Sequence, residues 1–122
     1  MTARRVLVVD DDDDNAQLLQ LLIELGGHQA RTAGDGKTAL AEAGDFHPDV
    51  AFVDFALPDM TGLQLGPRIR ALPGLEGILL VAVTGFDAPD DKRRAREAGF
   101  DHYLVKPLDP DQVTRVLADP RG

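Results

Sequence analysis

Short apolar runs recur along the chain, each ending at a polar or turn-forming residue, and longer stretches between them repeat their apolar positions at helical spacing. Residues 6–9, Val-Leu-Val-Val, predict a first strand. Residues 15–25 place Leu18, Leu19, Leu22 and Leu25 on a helix that Gly26 and Gly27 stop. A weak strand over 29–33 closes at Gly34-Asp35-Gly36, and a short helix over 38–43 ends at Gly44. Residues 50–53 predict a strand entered from Pro48, and 62–72 a helix with Pro67 in its first turns, where a missing N–H costs least. Residues 78–83 contain no polar side chain, as suits a central strand covered on both faces. A charged helix over 89–98 ends at Gly99, a strand covers 102–105, and a last helix 110–117. Strict strand–helix alternation predicts one α/β domain over residues 1–122: a doubly wound, five-stranded parallel sheet with helices on both faces.

The ends of these strands carry the chemistry. In an open parallel sheet, ligands bind at the carboxyl ends of the strands. There the first strand ends in Asp10-Asp11, the third in Asp54, the fourth in Thr84 and the fifth in Lys106. Three carboxylates in one crevice repel one another unless a cation joins them, and oxygen donors without His or Cys favour a hard ion such as Mg²⁺. Three acids, a hydroxyl and an ammonium suit phosphoryl transfer, which is mostly positioning and electrostatics. Asp54 is the expected nucleophile toward phosphorus, Asp11 and Asp54 the expected holders of the metal, and Thr84 and Lys106 the partners of the remaining phosphoryl oxygens. Singly, each has a plainer use: a capping Asp, a Thr satisfying a nearby backbone donor, a surface Lys.

Composition narrows the options. The absence of Cys excludes thiol catalysis and thiolate metal sites. A formal net charge of −8 argues against direct nucleic-acid binding. No apolar run is long enough to span a bilayer, and Arg4 and Arg5 precede too short an apolar run for a signal peptide, so a cytoplasmic protein or module is expected. Asp12, Asp13 and Asp14 read as the acidic start of a helix. A calcium loop counted from Asp10 fails, because Asn15 and Leu21 stand where Gly and Glu are required. Gly36-Lys37-Thr38 looks like the end of a nucleotide-phosphate loop, but Arg31 stands where its first Gly belongs.

Val8-Val9-Asp10-Asp11, Val53-Asp54 followed by Pro58 and Gly62, Val83-Thr84-Gly85, and Tyr103-Leu104-Val105-Lys106-Pro107, in that order and spacing, resemble the receiver domains of two-component response regulators, the family of the bacterial chemotaxis regulator. The resemblance implies a flavodoxin-like receiver topology, phosphorylation of Asp54 from a phosphohistidine on a histidine kinase or phosphotransfer domain, and Mg²⁺ bound by Asp11 directly, Asp10 through water, Asp54, and the backbone carbonyl of Ala56. It implies that Thr84 hydrogen-bonds the phosphoryl group, Lys106 pairs with it, and Tyr103 turns inward as a switch when Thr84 moves. It further implies a cis Lys106–Pro107 bond, and an output domain or homodimer contact through the fourth helix, fifth strand and fifth helix. Ala56 and Phe86 fall where the family flanks the path of attacking water. The stretch from Thr84 to Tyr103 resembles receivers attached to hybrid kinases and some stand-alone ones. Two rivals remain at this point: a small phosphatase-like enzyme using Asp10 and Asp12, and a degenerate receiver that binds a partner without phosphorylation.

Overall fold

The computed structural model describes residues 3–85 and 89–120. Five strands and five helices alternate: β1 (Arg5–Val9), α1 (Asp13–Leu25), β2 (Gln29–Ala33), α2 (Gly36–Phe46), β3 (Val50–Asp54), α3 (Gly62–Arg70), β4 (Leu79–Thr84), α4 (Pro89–Glu97), β5 (His102–Val105) and α5 (Pro110–Leu117). All strand pairs are parallel, in the order β2-β1-β3-β4-β5. The order reverses direction between β1 and β3, which is where such a sheet opens its binding crevice.

Side chains alternate across the strands and fill two separate cores. Val6, Val8, Val50, Phe52, Val81 and Val83 pack under α1 and α5 against Leu19, Ile23, Val113 and Val116. Leu7, Val9, Ala51, Val53, Leu80 and Ala82 pack on the other face against Ala39 and Ala43 of α2, Leu65 and Ile69 of α3, and Phe100. The central strands β3 and β4 are buried throughout, whereas the edge strand β2 is mostly exposed, which is why its apolar signal is weak.

Several boundaries differ from the sequence reading. Helix α1 starts at Asp13, because Asp12 caps it by accepting the N–H groups of Asp14 and Asn15. Helix α2 does not stop at Gly44; it runs from Gly36 to Phe46 and ends at His47, in the left-handed conformation at φ 51°. Its last turn is held from β2 by Arg31, which pairs with Glu42 and Asp45 and lies 4.5 Å over the Phe46 ring. Those contacts outweigh the roughly 1 kcal/mol a helical glycine costs. Helix α3 stops at Arg70 rather than Leu72, since Pro73 disfavours helical backbone just before it. Pro67 sits at the sixth helical position, and a Thr61–Gln64 capping box starts the helix. Strand β4 is shifted one residue, so Thr84 lies inside the sheet; Asp54 likewise ends β3 within the ladder.

Candidate functional site

Backbone pairing fixes where each candidate side chain begins. Asp54 is opposite Val83, and Phe55 donates its N–H to the Val83 carbonyl at 3.0 Å. Thr84 is opposite Val105, and Lys106 donates its N–H to the Thr84 carbonyl at 2.8 Å. Asp10 continues β1 and donates to the Ala33 carbonyl at 3.0 Å. The functional side chains thus leave from the last rungs of four neighbouring parallel strands, on backbone held by the sheet.

One acidic pocket results. A carboxylate oxygen from each of Asp10, Asp11 and Asp54 lies within 4.8 Å of the others. Asp10 and Asp54 are buried and Asp11 is exposed. The Lys106 ammonium is 2.7 Å from Asp54 Oδ2 and 3.1 Å from Asp10 Oδ2. The second oxygens are also used: Asp10 Oδ1 accepts the Asp12 N–H at 2.9 Å, and Asp54 Oδ1 accepts the Ala56 N–H at 2.9 Å. Burial pushes the Asp10 carboxyl above its usual range, against the pull of the Asp12 N–H and Lys106. Burial alone would lower Lys106, but its bonds to Asp54 and Asp10 hold it above its ordinary value. At an effective dielectric near 20, two like charges this close repel by about 3.5 kcal/mol. One ammonium cannot offset three such carboxylates. The donor set therefore fits a divalent hard cation, held by Asp10, Asp11 and Asp54.

The structure brings Asp10, Asp11, Asp54 and Lys106 together. Thr84 is buried at the same edge, on the strand next to Asp54. Ala56 is set beside Asp54 by its own N–H and by an antiparallel bridge to Thr61. The Lys106–Pro107 peptide is cis. Phe86 lies outside the described residues. Tyr103 does not stand at a strand end beside Thr84: it pairs with Ala82, two rungs earlier, because β5 starts at His102. Its ring is half-buried, edge-on to Phe55 at 6.1 Å, and Phe55 in turn meets Phe100 at 5.8 Å. Phe55 follows Asp54 directly and so links the pocket to β5, a role that only its adjacency in sequence hints at. The phosphatase alternative loses its second acid, since the Asp12 carboxylate is engaged as the cap of α1.

The response regulator receiver domain is the protein family whose model matches residues 6–118. The chain belongs to that family. It is similar to an uncharacterized 14.6 kDa protein of Leptolyngbya boryana, 36% identical over 92% of this chain and 86% of the relative. It is 32% identical to the polar-differentiation response regulator DivK of Brucella ovis, over 86% of this chain and 85% of DivK. Against the probable transcriptional regulatory protein TcrX of Mycobacterium tuberculosis it is 39% identical over 92% of its own length, spanning 47% of that relative. The solved chemotaxis protein CheY4 of Vibrio cholerae superimposes with a TM-score of 0.89 at 28% identity, covering 95% of this chain and 97% of that one. The molecule is a receiver domain of the two-component type, a signalling family rather than an ordinary enzyme family, in which phosphorylation and Mg²⁺ are general features. Receivers work with histidine kinases or phosphotransfer proteins and with output domains. No helix among the described residues is long and apolar enough to cross a membrane.

Proposed function

We propose that this receiver takes a phosphoryl group from a phosphohistidine onto Asp54. The observation that carries this reading is the buried Asp54 carboxylate at the end of β3, bonded to the Lys106 ammonium and clustered with the carboxylates of Asp10 and Asp11. An Asp54 oxygen attacks phosphorus, the phosphorus–nitrogen bond breaks, and its electron pair leaves on the imidazole. Asp10, Asp11, Asp54 and the Ala56 carbonyl would hold Mg²⁺, which when bound offsets charge on the phosphoryl oxygens. Lys106 exchanges its carboxylate partners for a phosphoryl oxygen, and Thr84 donates its hydroxyl to another. Apart from its own phosphorylation and slow dephosphorylation, no catalysis is assigned to the chain.

The donor's docking face is supported by α1. Leu18, Leu21 and Leu25 are 57%, 52% and 76% exposed at spacings that align them along one side of the helix. Leu18 also lines a cavity of about 460 Å³, together with Leu22, Phe52 and Pro107, which shares Asp10 and Lys106 with the acidic pocket. A helix presenting a phosphohistidine can cover the leucines while its imidazole reaches Asp54. The α4–β5–α5 face, where α4 carries Lys92, Arg93, Arg94 and Arg96, is the proposed contact for an output domain or a second copy.

Acetyl phosphate with Mg²⁺ should add one phosphoryl group, detected by intact mass. Asp54→Asn should abolish the addition and Asp11→Ala should greatly reduce it. Undiminished addition to Asp54→Asn would refute the assignment.

A further inference from the structure

The loop after Asp54 is held at its base and at its far arc by different parts of the molecule. At the base, Ala56 bonds to Asp54, bridges to Thr61, and Gly62 donates its N–H to the Phe55 carbonyl at 3.0 Å. The far arc is held by α2. Asp59 Oδ1 accepts the Gly36 N–H at 2.8 Å, and Asp59 Oδ2 accepts the Lys37 N–H at 3.0 Å. These are the first two of the N–H groups that a helix start leaves without intrahelical partners. The third, on Thr38, goes to the helix's own cap, Asp35, at 2.6 Å. Met60 closes over the same point: a Cβ on Gly36 would come 2.5 Å from Met60 Sδ. The start of α2 is thus completed by a residue 23 positions later, inside the loop that carries Ala56. The Gly36 N–H above all, then the Lys37 N–H, hold the Asp59 carboxyl below its ordinary value.

We propose that Asp59 is a positioning residue for the acidic pocket: by clamping the loop onto the start of α2, it sets the Ala56 carbonyl and ties occupancy of the pocket by Mg²⁺ to the order of that helix end. This rests on the phosphoacceptor reading of the pocket. Mg²⁺ tolerates little departure from its preferred arrangement of oxygens, so loosening the arc three residues beyond Ala56 would weaken the fit of its carbonyl. Asp59 is not one of the clustered carboxylates, and both its oxygens are committed to α2. Its influence therefore runs through the loop. Coupling of this kind is reciprocal: whatever the clamp does for the metal, the metal does for the clamp.

The test uses the whole chain, titrated with Mg²⁺ alone and followed by amide NMR and hydrogen exchange. In the wild type, Mg²⁺ should slow exchange of the Gly36 and Lys37 amides. Asp59→Ala should bind Mg²⁺ roughly tenfold more weakly, as is usual when a group orienting a metal ligand is lost. Asp59→Asn, which keeps one acceptor oxygen, should fall between. If Asp59→Ala fails to fold, the wild-type exchange experiment and Asp59→Asn still decide. Mg²⁺ binding to wild type with no change at Gly36 and Lys37, or equal affinity in folded Asp59→Ala, overturns the clamp and leaves the site reading intact. A wild type that binds no Mg²⁺ overturns both.

Discussion

Among the described residues, Lys106 bonds both Asp54 and Asp10, so it and a bound metal ion would serve overlapping needs. Lys106→Met should destabilise the metal-free protein. Breaking a fully buried pair costs about 3–5 kcal/mol, and the 27% exposure of this side chain reduces that to about 1–3 kcal/mol. Mg²⁺ should then raise the melting temperature of Lys106→Met more than that of wild type, because the variant has lost its internal counter-ion; an equal or smaller rise would contradict the shared role. Ala56 and Phe86, which the resemblance sets beside the path of attacking water, are expected to bear on lifetime. Neither side chain can position water by hydrogen bonding, so phosphate loss should be slow, and Ala56→Asn with Phe86→Glu should accelerate it. Wild-type loss as fast as that of the double variant would contradict this. That Asp10, Asp11, Asp54 and Lys106 would meet in one crevice was legible in the sequence, because each follows or ends a strand whose apolar run announces it. Asp59 was not, since its partners lie 22 and 23 residues away and no local pattern marks them.

Among the elements, the turn from β3 into α3 has the least slack. A Cβ at Gly62 would lie 2.6 Å from the Asp54 carbonyl oxygen and 2.9 Å from the Phe55 Cα, both backbone atoms that cannot swing aside. Gly62→Ala should cost about 1–3 kcal/mol, as overpacking does, and should slow labelling by acetyl phosphate; a variant as stable and as readily labelled as wild type would show that the loop yields. The clamp onto α2 also has a pH signature. Because the folded Asp59 carboxyl is lowered, its contribution is present above the unfolded value near 3.8 and is lost as pH falls through the folded value. In metal-free protein, wild type should melt above Asp59→Asn at neutral pH, and the gap should close in acid. A gap that stays constant would remove the carboxylate charge from the account. Element type and order were readable because two strong periodicities alternate without interruption. Boundaries were less so. Gly44 reads as a stop, but tertiary contacts from Arg31 carry α2 past it; the Thr61…Gln64 spacing is itself a helix-start signal.

At the scale of the whole molecule, the pocket is joined to the far strand through aromatic rings. Asp54 precedes Phe55, Phe55 meets Tyr103 and Phe100, and Tyr103 lies in β5. A phosphoryl group on Asp54 that engages Thr84 and Lys106 would act on the ends of β4 and β5 together. Beryllofluoride, a phosphoryl mimic, should therefore shift amide resonances over Thr84 to Ala98 and His102 to Lys106. Shifts confined to the loop around Asp54 would contradict a transmitted change. The parallel, doubly wound sheet followed from the strand alternation, and the receiver topology from the family resemblance of the motifs, whereas the edge-on contact of the half-buried Tyr103 with Phe55 depends on register across the sheet, which a single sequence does not display. All of this depends on where the phosphoryl group goes. The most direct test is to label the protein with acetyl phosphate and Mg²⁺, reduce the acyl phosphate with borohydride, and sequence the peptides by mass spectrometry. Phosphorylation of Asp54 predicts homoserine at position 54 alone; homoserine at position 10, 11 or 12, or at no position, would contradict it.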